Sequence, residues 1–469
     1  MSNERSGFSS RLGFVLATAG SAVGLGNIWR FPYLAAKYGG GTFLLIYLIL
    51  TLTFGFSLMI TEVALGRKAG TSAIRAFGHF SKKHTFIGYL TTIIPFIIFP
   101  YYCVIGGWVT KYALLSIQGG IHNAASDTFF TGFISKSAEP MICVLVFLIA
   151  TTVVVAGGVK GGVERVSTIM MPVLIVLLIG VSLFCITRPG AMAGVVYYLK
   201  PNLKGFSPTT ILAALGQLFY SMSLAMGIMI TFGSYMPKKA DLEKSVTQVE
   251  IFDTGVAFLA GLMIVPAVFA FSNGDSSMLA KGPSLMFVML PKVFDSMAFS
   301  GVIAAVFFIL VLLAALTSSI SLLETLVAVL MDKFHMKRGT ACITMFIIAL
   351  LLAVPSSLGF GAWSNITILG FDFLDFFDFI SNSVLMPIAA AFGIDMIHLG
   401  VVVALAVTIG ASTPPVGVCL FVLSTVTGEP LENVIAGTKT FYLPIFIALL
   451  LVTFCPPLVT WLPNLLLGA

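Results

Sequence analysis

The sequence predicts an all-α polytopic membrane protein of about twelve transmembrane helices, and three observations carry that expectation. Hydrophobic residues make up 58% of the 469 residues and charged ones only 9%, with a mean hydropathy of +1.06. That is too little charge to coat a solvated surface. Apolar runs long enough to cross about 30 Å of hydrocarbon recur from end to end. Two of those runs, five spans apart, carry clusters of glycine and serine at mid-membrane depth where a regular helix would be hard to keep.

Ending each run where charges, Gly, Pro or polar clusters gather gives spans over residues 12–38, 41–66, 87–117, 140–156, 166–187, 208–236, 246–271, 298–331, 340–355, 371–392, 397–427 and 441–462. Several exceed the minimum length, which permits tilt but sets no angle. The first run follows a short polar stretch, residues 1–11, without a basic tip and small-residue cleavage site, so it reads as a span and not a removable signal peptide.

Orientation follows from the basic residues of the short loops. The connection after the second span carries Arg67, Lys68, Arg75, Lys82 and Lys83, the most basic segment of the chain, and is therefore expected on the cytoplasmic side. Alternation from there puts Lys160 with Arg165, Lys238 with Lys239 and Lys244, and Lys333 with Lys337 and Arg338 on the same side. The N-terminus with Arg5 and Arg11 joins them, whereas Arg188, Lys200 and Lys204 fall outside. The expected location is a bacterial-type plasma membrane. The net charge of +6 is then a matter of topology and implies no nucleic-acid partner.

Enzyme chemistry finds no foothold. All six cysteines, Cys103, Cys143, Cys185, Cys342, Cys419 and Cys455, fall within predicted spans without zinc-site spacing. No Gly-rich phosphate loop and no Ser/His/Asp arrangement is present, so neither an ATPase subunit nor a hydrolase is implied.

The two irregular stretches are Gly20 to Asn27 in the first span and Ser221 to Gly227 in the sixth. Small residues in one membrane helix commonly serve close packing. Two such stretches at matching places in two five-span halves point instead to an inverted repeat, residues 1–205 and 206–387, with a site where the two broken helices meet. Bare carbonyls there suit a cation, and half-helix amides suit an anion.

At this point the residues carry a resemblance. The run ATAGSAVGLGNIWRFP over residues 17–32, Thr61-Glu62 to Gly66-Arg67, GQLFYS over 216–221 and Leu316-Thr317-Ser318-Ser319 resemble the neurotransmitter:sodium symporter family in its bacterial amino-acid branch, from the N-terminus to about Pro387. The resemblance implies a sodium-coupled symporter of a small neutral, hydrophobic or aromatic amino acid, working by alternating access, with two sodium ions expected. One sodium would meet the carbonyl of Ala22, the side chains of Asn27, Ser221 and Asp253, and the substrate carboxylate. The other would meet the carbonyls of Gly20, Val23 and Ala314 and the hydroxyls of Thr317 and Ser318. Oxygen-only sites suit a hard cation.

Asp253 stands where some members of the family have Asn, so its carboxylate would supply the charge that animal relatives take from chloride. The other reading of Asp253 is a buried, protonated hydrogen-bonding group. The resemblance also implies that the Leu25 and Gly26 amides and the Tyr102 hydroxyl hold the substrate carboxylate, and that carbonyls around Ala22, Tyr220 and Ser221 hold its ammonium. Ile98, Tyr220, Ser223, Met226, Ser318 and Leu322 would surround its side chain. None of these is charged, which excludes a Lys-, Arg-, Asp- or Glu-like substrate. Arg30 with Asp378 resemble an outer gate, and Arg5, Asp332 and Tyr235 an inner one. Glu62 is expected to satisfy amides of a broken helix, Glu324 has no specific reading, and Asp372 and Asp375 read as helix caps.

Past Pro387 the pattern changes. Residues 388–469, a C-terminal helix pair, resemble part of the large membrane subunit of tripartite ATP-independent periplasmic (TRAP) transporters through Gly393-Ile394-Asp395, Gly410 to Gly417 and Trp461-Leu462-Pro463. The tail reads as a passive appendage, from a natural fusion or a rearranged reading frame. A TRAP-type subunit and a non-transporting amino-acid sensor or scaffold are the alternatives to a symporter.

Overall fold

The computed structural model describes residues 7–80, 82, 85–202, 207–272, 285–386, 430, 432 and 433. Among them the regular elements are helices, and seven are long and apolar enough to cross a membrane. These are Gly41–Ala69, Thr85–Ile117, Ala138–Ala156, Val159–Ile186, Leu242–Phe271, Ser300–Phe334 and Arg338–Leu358. An eighth span is the bent pair α1 (Arg11–Ala22) and α2 (Gly26–Lys37), whose axes differ by 54°. The sixth predicted span is also two pieces, Pro208–Ser221 and Ile228–Tyr235. The tenth is described only as Phe373–Asp378, a π-helical stretch Phe379–Leu385 and Met386. The predicted spans 397–427 and 441–462 lie outside the described residues.

Local chemistry accounts for the helix ends. The Ser10 hydroxyl accepts from the Gly13 amide at 2.9 Å and starts α1. Asp241 does the same for Leu242–Phe271 through the Lys244 amide at 3.1 Å. Gly41–Ala69 ends with Arg67 and Lys68 in its last turn and Gly70 in the left-handed conformation. Asp372 caps Phe373–Asp378 through the Asp375 amide at 2.9 Å, as read from the sequence.

The chain parts into two compact units, Met1–Ala389 and Ala390–Ala469. In the first, an inner group of helices is wrapped by an outer one. Thr85–Ile117 is the most enclosed span, with 72% of its most apolar window buried, against 33% for Val159–Ile186. Thr85–Ile117 packs on Ser300–Phe334, and α1 packs on Ser300–Phe334 and Leu242–Phe271. Gly66 and Gly233 let Gly41–Ala69 and Ile228–Tyr235 come to backbone contact, since a Cβ on either would run into the other helix. Large aliphatic side chains such as Leu52, Val153, Val176 and Leu351 point outward, as a lipid solvent requires.

Candidate functional site

The two interrupted spans meet where the sequence places a site. Eleven residues expected around a substrate, Ala22, Leu25, Gly26, Ile98, Tyr102, Tyr220, Ser221, Ser223, Met226, Ser318 and Leu322, all line one cavity. No charged residue lines it. Its free volume is about 30 Å³, room for one or two waters. The Tyr102 hydroxyl is buried against this space with no hydrogen-bond partner. The helix Gly26–Lys37 begins at the same place, with its Asn27 and Ile28 amides on the Gly24 carbonyl at 3.1 and 3.4 Å. Glycine at 24 is required by distance, because a Cβ there would lie 2.4 Å from the Ser318 hydroxyl.

Two groups of oxygen atoms flank the cavity. In the first, Asp253 is fully buried and receives the Ser221 hydroxyl at 2.9 and 3.0 Å, the Asn27 amide at 2.7 Å and the Tyr47 hydroxyl at 3.4 Å. Asn27 also reaches the Ser221 oxygen at 3.0 Å, and its carbonyl accepts from the Gly24 amide at 3.1 Å. In the second, the Thr317 hydroxyl lies 3.0 Å from the Ala314 carbonyl and 3.5 Å from that of Val23. The Ser318 hydroxyl lies 3.1, 3.2 and 3.5 Å from the carbonyls of Ser21, Val23 and Gly20. Both groups contain only oxygen as acceptor. Among the described residues no cluster of His, Cys, Asp and Glu could hold a transition metal, and Cys103, Cys143, Cys185 and Cys342 are buried and unpaired.

The gate residues sit differently from the expected pairing. Arg30 and Asp378 form no ion pair. The Arg30 guanidinium stacks on the Tyr220 ring at 4.7 Å, while Asp378 accepts from Tyr101 at 3.1 Å and Asn382 at 2.6 Å. Each therefore has a competing partner on its own side, and the aromatic face of Tyr220 holds the cation over the cavity. On the opposite side Arg5 lies outside the described residues, Asp332 accepts from the Ser72 amide at 2.6 Å, and Tyr235 donates to Glu324 at 2.8 Å.

Glu62 accepts from the Ala225 amide at 2.8 Å, inside the gap of the sixth span. Glu324, without a reading from sequence, forms a two-point ion pair with Arg338 at 2.6 and 2.9 Å, and Arg338 also caps the Val155 carbonyl at 2.9 Å. Glu164 went unremarked in the sequence yet ties the start of α1 to the fifth span, accepting from the Ser9 amide at 2.8 Å and the Ser9 hydroxyl at 2.6 Å. Gln217 donates to the Gly26 carbonyl at 3.0 Å beside the site. Glu164 fell in the stretch before the predicted fifth span, 166–187, that read as a loop, so no signal marked it. Gln217 offered none.

Residues 5–132 and 130–406 match the model described as the sodium:neurotransmitter symporter family. The chain belongs to that family. An uncharacterized sodium-dependent transporter of Bacillus subtilis, YhdH, is 37% identical over 388 residues, 82% of this chain and 85% of the relative. A sodium-dependent transporter of Haemophilus influenzae is 36% identical over 403 residues, 82% of this chain and 87% of that one. The human sodium- and chloride-dependent GABA transporter 2 is 28% identical over 71% of this chain and 62% of its own length. Among solved structures, that of MhsT in complex with L-phenylalanine is 36% identical with a TM-score of 0.75, covering 96% of this chain and all of that one. This member of the symporter family is thus a polytopic membrane protein whose relatives are sodium-dependent transporters, not enzymes. Residues 368–458 match the DctM component of tripartite ATP-independent periplasmic transporters. The two matches overlap over 368–406, so the symporter pattern runs past the change read near Pro387.

Proposed function

We propose that the protein is a sodium-coupled symporter that carries a small neutral amino acid with a hydrophobic or aromatic side chain by alternating access. The observation that carries this reading is the uncharged cavity between two interrupted helices, flanked by two groups of oxygen donors. An amino-acid carboxylate entering it would meet the orphaned Tyr102 hydroxyl and the Leu25 and Gly26 amides. A charged substrate side chain would find no counter-charge among the lining residues and would be rejected by its desolvation cost. The relative MhsT binding L-phenylalanine favours an aromatic substrate, and the polarizable Met226 suits such a side chain.

One sodium ion would sit between Ala22, Asn27, Ser221 and Asp253, with the Asn27 amide turned so that its oxygen faces the ion. A second would sit among Gly20, Val23, Ala314, Thr317 and Ser318. Two ions crossing ~100 mV release roughly 4.6 kcal/mol, enough for about three decades of accumulation. Asp253 supplies a carboxylate where the first ion binds, which makes chloride unnecessary here, in contrast to what the name of the GABA transporter states for that relative. Arg30 and Asp378 would act as the outer gate by leaving Tyr220, Tyr101 and Asn382 and closing on each other. Arg5, Asp332 and Tyr235 would act as the inner one. The two halves, residues 1–205 and 206–387, form the moving repeat, with the N-terminus cytoplasmic.

Uptake of radiolabelled neutral amino acids into proteoliposomes under an inward sodium gradient tests the proposal. Accumulation is expected with sodium and not with potassium, and it should persist when gluconate replaces chloride. Loss of uptake in gluconate sinks chloride independence alone. Sodium-dependent binding without any flux would favour the sensor reading, with the DctM-like tail as the feature that stops the cycle.

A further inference from the structure

A second cavity, of about 340 Å³, lies on the side that carries Arg67, Lys68, Lys238 and Lys239 and shares no lining residue with the central one. It opens between the short helix Ala73–Phe80, the beginning of Thr85–Ile117 and the end of Ser300–Phe334. Arg75, His79 and Lys333 supply positive or titratable nitrogen, Thr71, Thr85 and Tyr89 supply hydroxyls, and no Asp or Glu lines it.

Two features separate this cavity from an ordinary solvated basic surface. Neither Arg75 nor Lys333 forms an ion pair with a carboxylate among the described residues; Lys333 instead rests on Tyr89, its amine 2.5 Å from the hydroxyl and 5.1 Å from the ring centroid. The nearest acid in sequence, Asp332, is engaged with the Ser72 amide at 2.6 Å. The Thr71 hydroxyl is buried on the cavity with no hydrogen-bond partner. A cation held against an aromatic ring, a second without a carboxylate partner and an unpartnered hydroxyl together describe an anion site, and the geometry of phosphate oxygens suits it.

The helix that forms one wall supports a boundary location. Ala73 and Ala76 are packed inward against Ile230, with Leu65, Ala69 and Phe77 around them, while Arg75 and His79 are exposed. A helix with one packed apolar face and one exposed basic face is suited to the boundary between lipid and water. We propose that this cavity binds the phosphate group of an anionic phospholipid, tying Ala73–Phe80 to the end of Ser300–Phe334 beside Asp332.

Native mass spectrometry of the full chain in detergent, titrated with phosphatidylglycerol or phosphatidylcholine, tests this. Phosphatidylglycerol should be retained preferentially. Affinity should fall about fivefold for each of Arg75→Gln and Lys333→Gln, and about 25-fold for the pair, by the usual worth of a basic residue at an anionic membrane surface. Lys239→Gln, an exposed basic residue of the same side, should leave it unchanged, and all variants should stay monodisperse with the wild-type melting temperature. Millimolar inorganic phosphate separates the two sources of the same chemistry. Competition with the lipid supports a headgroup site, whereas phosphate binding that needs Arg75 and Lys333 without any lipid preference assigns the cavity to free phosphate and overturns the lipid. Equal retention of both lipids with no phosphate binding, or an equal loss in Lys239→Gln, overturns the site altogether.

Discussion

The two interruptions that meet at the central cavity are built by different means. The first covers residues 23–25 and has no left-handed residue: Val23 is extended, and Leu25 is already helical. It is closed by neighbours, the Val23 amide on the Ala19 carbonyl at 2.7 Å and the Gly24 amide on the Asn27 side chain at 3.1 Å. The second covers residues 222–227 and places Ser223, Ala225 and Gly227 at φ of 53°, 60° and 69°. Two of those three are not glycine, and each carries a cost of about 1–2 kcal/mol. Its restraints are partly local, the Met222, Ser223 and Leu224 amides on the Leu218, Tyr220 and Phe219 carbonyls at 3.0, 3.4 and 3.1 Å, and partly distant, from Glu62 on the Ala225 amide and from Ser21, whose carbonyl accepts the Ser223 hydroxyl at 3.2 Å. The short break, whose Val23 carbonyl also accepts the Ser318 hydroxyl at 3.2 Å, thus keeps ordinary backbone angles, and the long one needs left-handed residues as well as a distant carboxylate. Asp253 joins them, bonding to Asn27 after the first gap and to Ser221 before the second.

Removing that junction should have the largest effect. Asp253→Ala takes one partner from a buried polar cluster, a loss of about 3–5 kcal/mol, so sodium affinity should fall on the order of 100-fold or more, read by sodium-dependent substrate binding. Asp253→Asn sharpens the point: binding should return in part, and only when chloride is present. Next comes Glu62→Ala, which leaves the Ala225 amide buried and unpaired at a cost of roughly 2 kcal/mol. Uptake should drop about 30-fold while the first gap stays intact, and protection of amides 222–227 in hydrogen exchange should fall without change at 23–25. If both stretches lose protection together, the two breaks are one cooperative unit and the contrast drawn here is wrong.

Gly24→Ala should act on the first gap alone. A Cβ at that position meets the Ser318 oxygen, overpacking of this kind costs about 1–3 kcal/mol, and half-saturation by sodium should rise about tenfold. The smallest effect is expected at Ala225→Gly. Glycine relieves the left-handed strain, so stability to thermal unfolding should rise by ~1 kcal/mol or slightly less; a fall would mean that the backbone there is not strained.

Legibility in the sequence follows the same division. The spans were readable because lipid imposes a long apolar run on each, and the observed helices start and end within a few residues of the predicted bounds. The fifth span is the exception, starting at Val159 where 166 was expected. Its early turn is a π-helical stretch, Val159–Glu164, with glycines that hydropathy reads as a loop. The cavity residues were named through motif resemblance, and three of the four quoted runs, 17–32, 216–221 and 316–319, contribute part of the wall. The role of Glu62 was readable in kind, since it meets an amide of a broken helix as expected. The partners of Glu164 and Glu324 were not: Glu164 and Ser9 are 155 residues apart, and no local pattern encodes such a pair. The Arg30–Asp378 pairing was drawn from resemblance, and the positions of Tyr220, Tyr101 and Asn382 decided against contact in this conformation.

By itself the sequence determined the solvent, the helices that cross it among the described residues, and the two places where a helix breaks. Each of these depends on composition within a window of a few tens of residues, and hydrophobic transfer and backbone hydrogen bonding act on that scale. Only the tertiary structure decided which oxygen atoms converge beside Asp253 and Ser318, that Glu324 belongs with Arg338 and Tyr235, and that a basic cavity stands open beside Lys333. These are meetings of side chains from distant spans, and their distances are set by helix packing, which no short stretch of the chain contains.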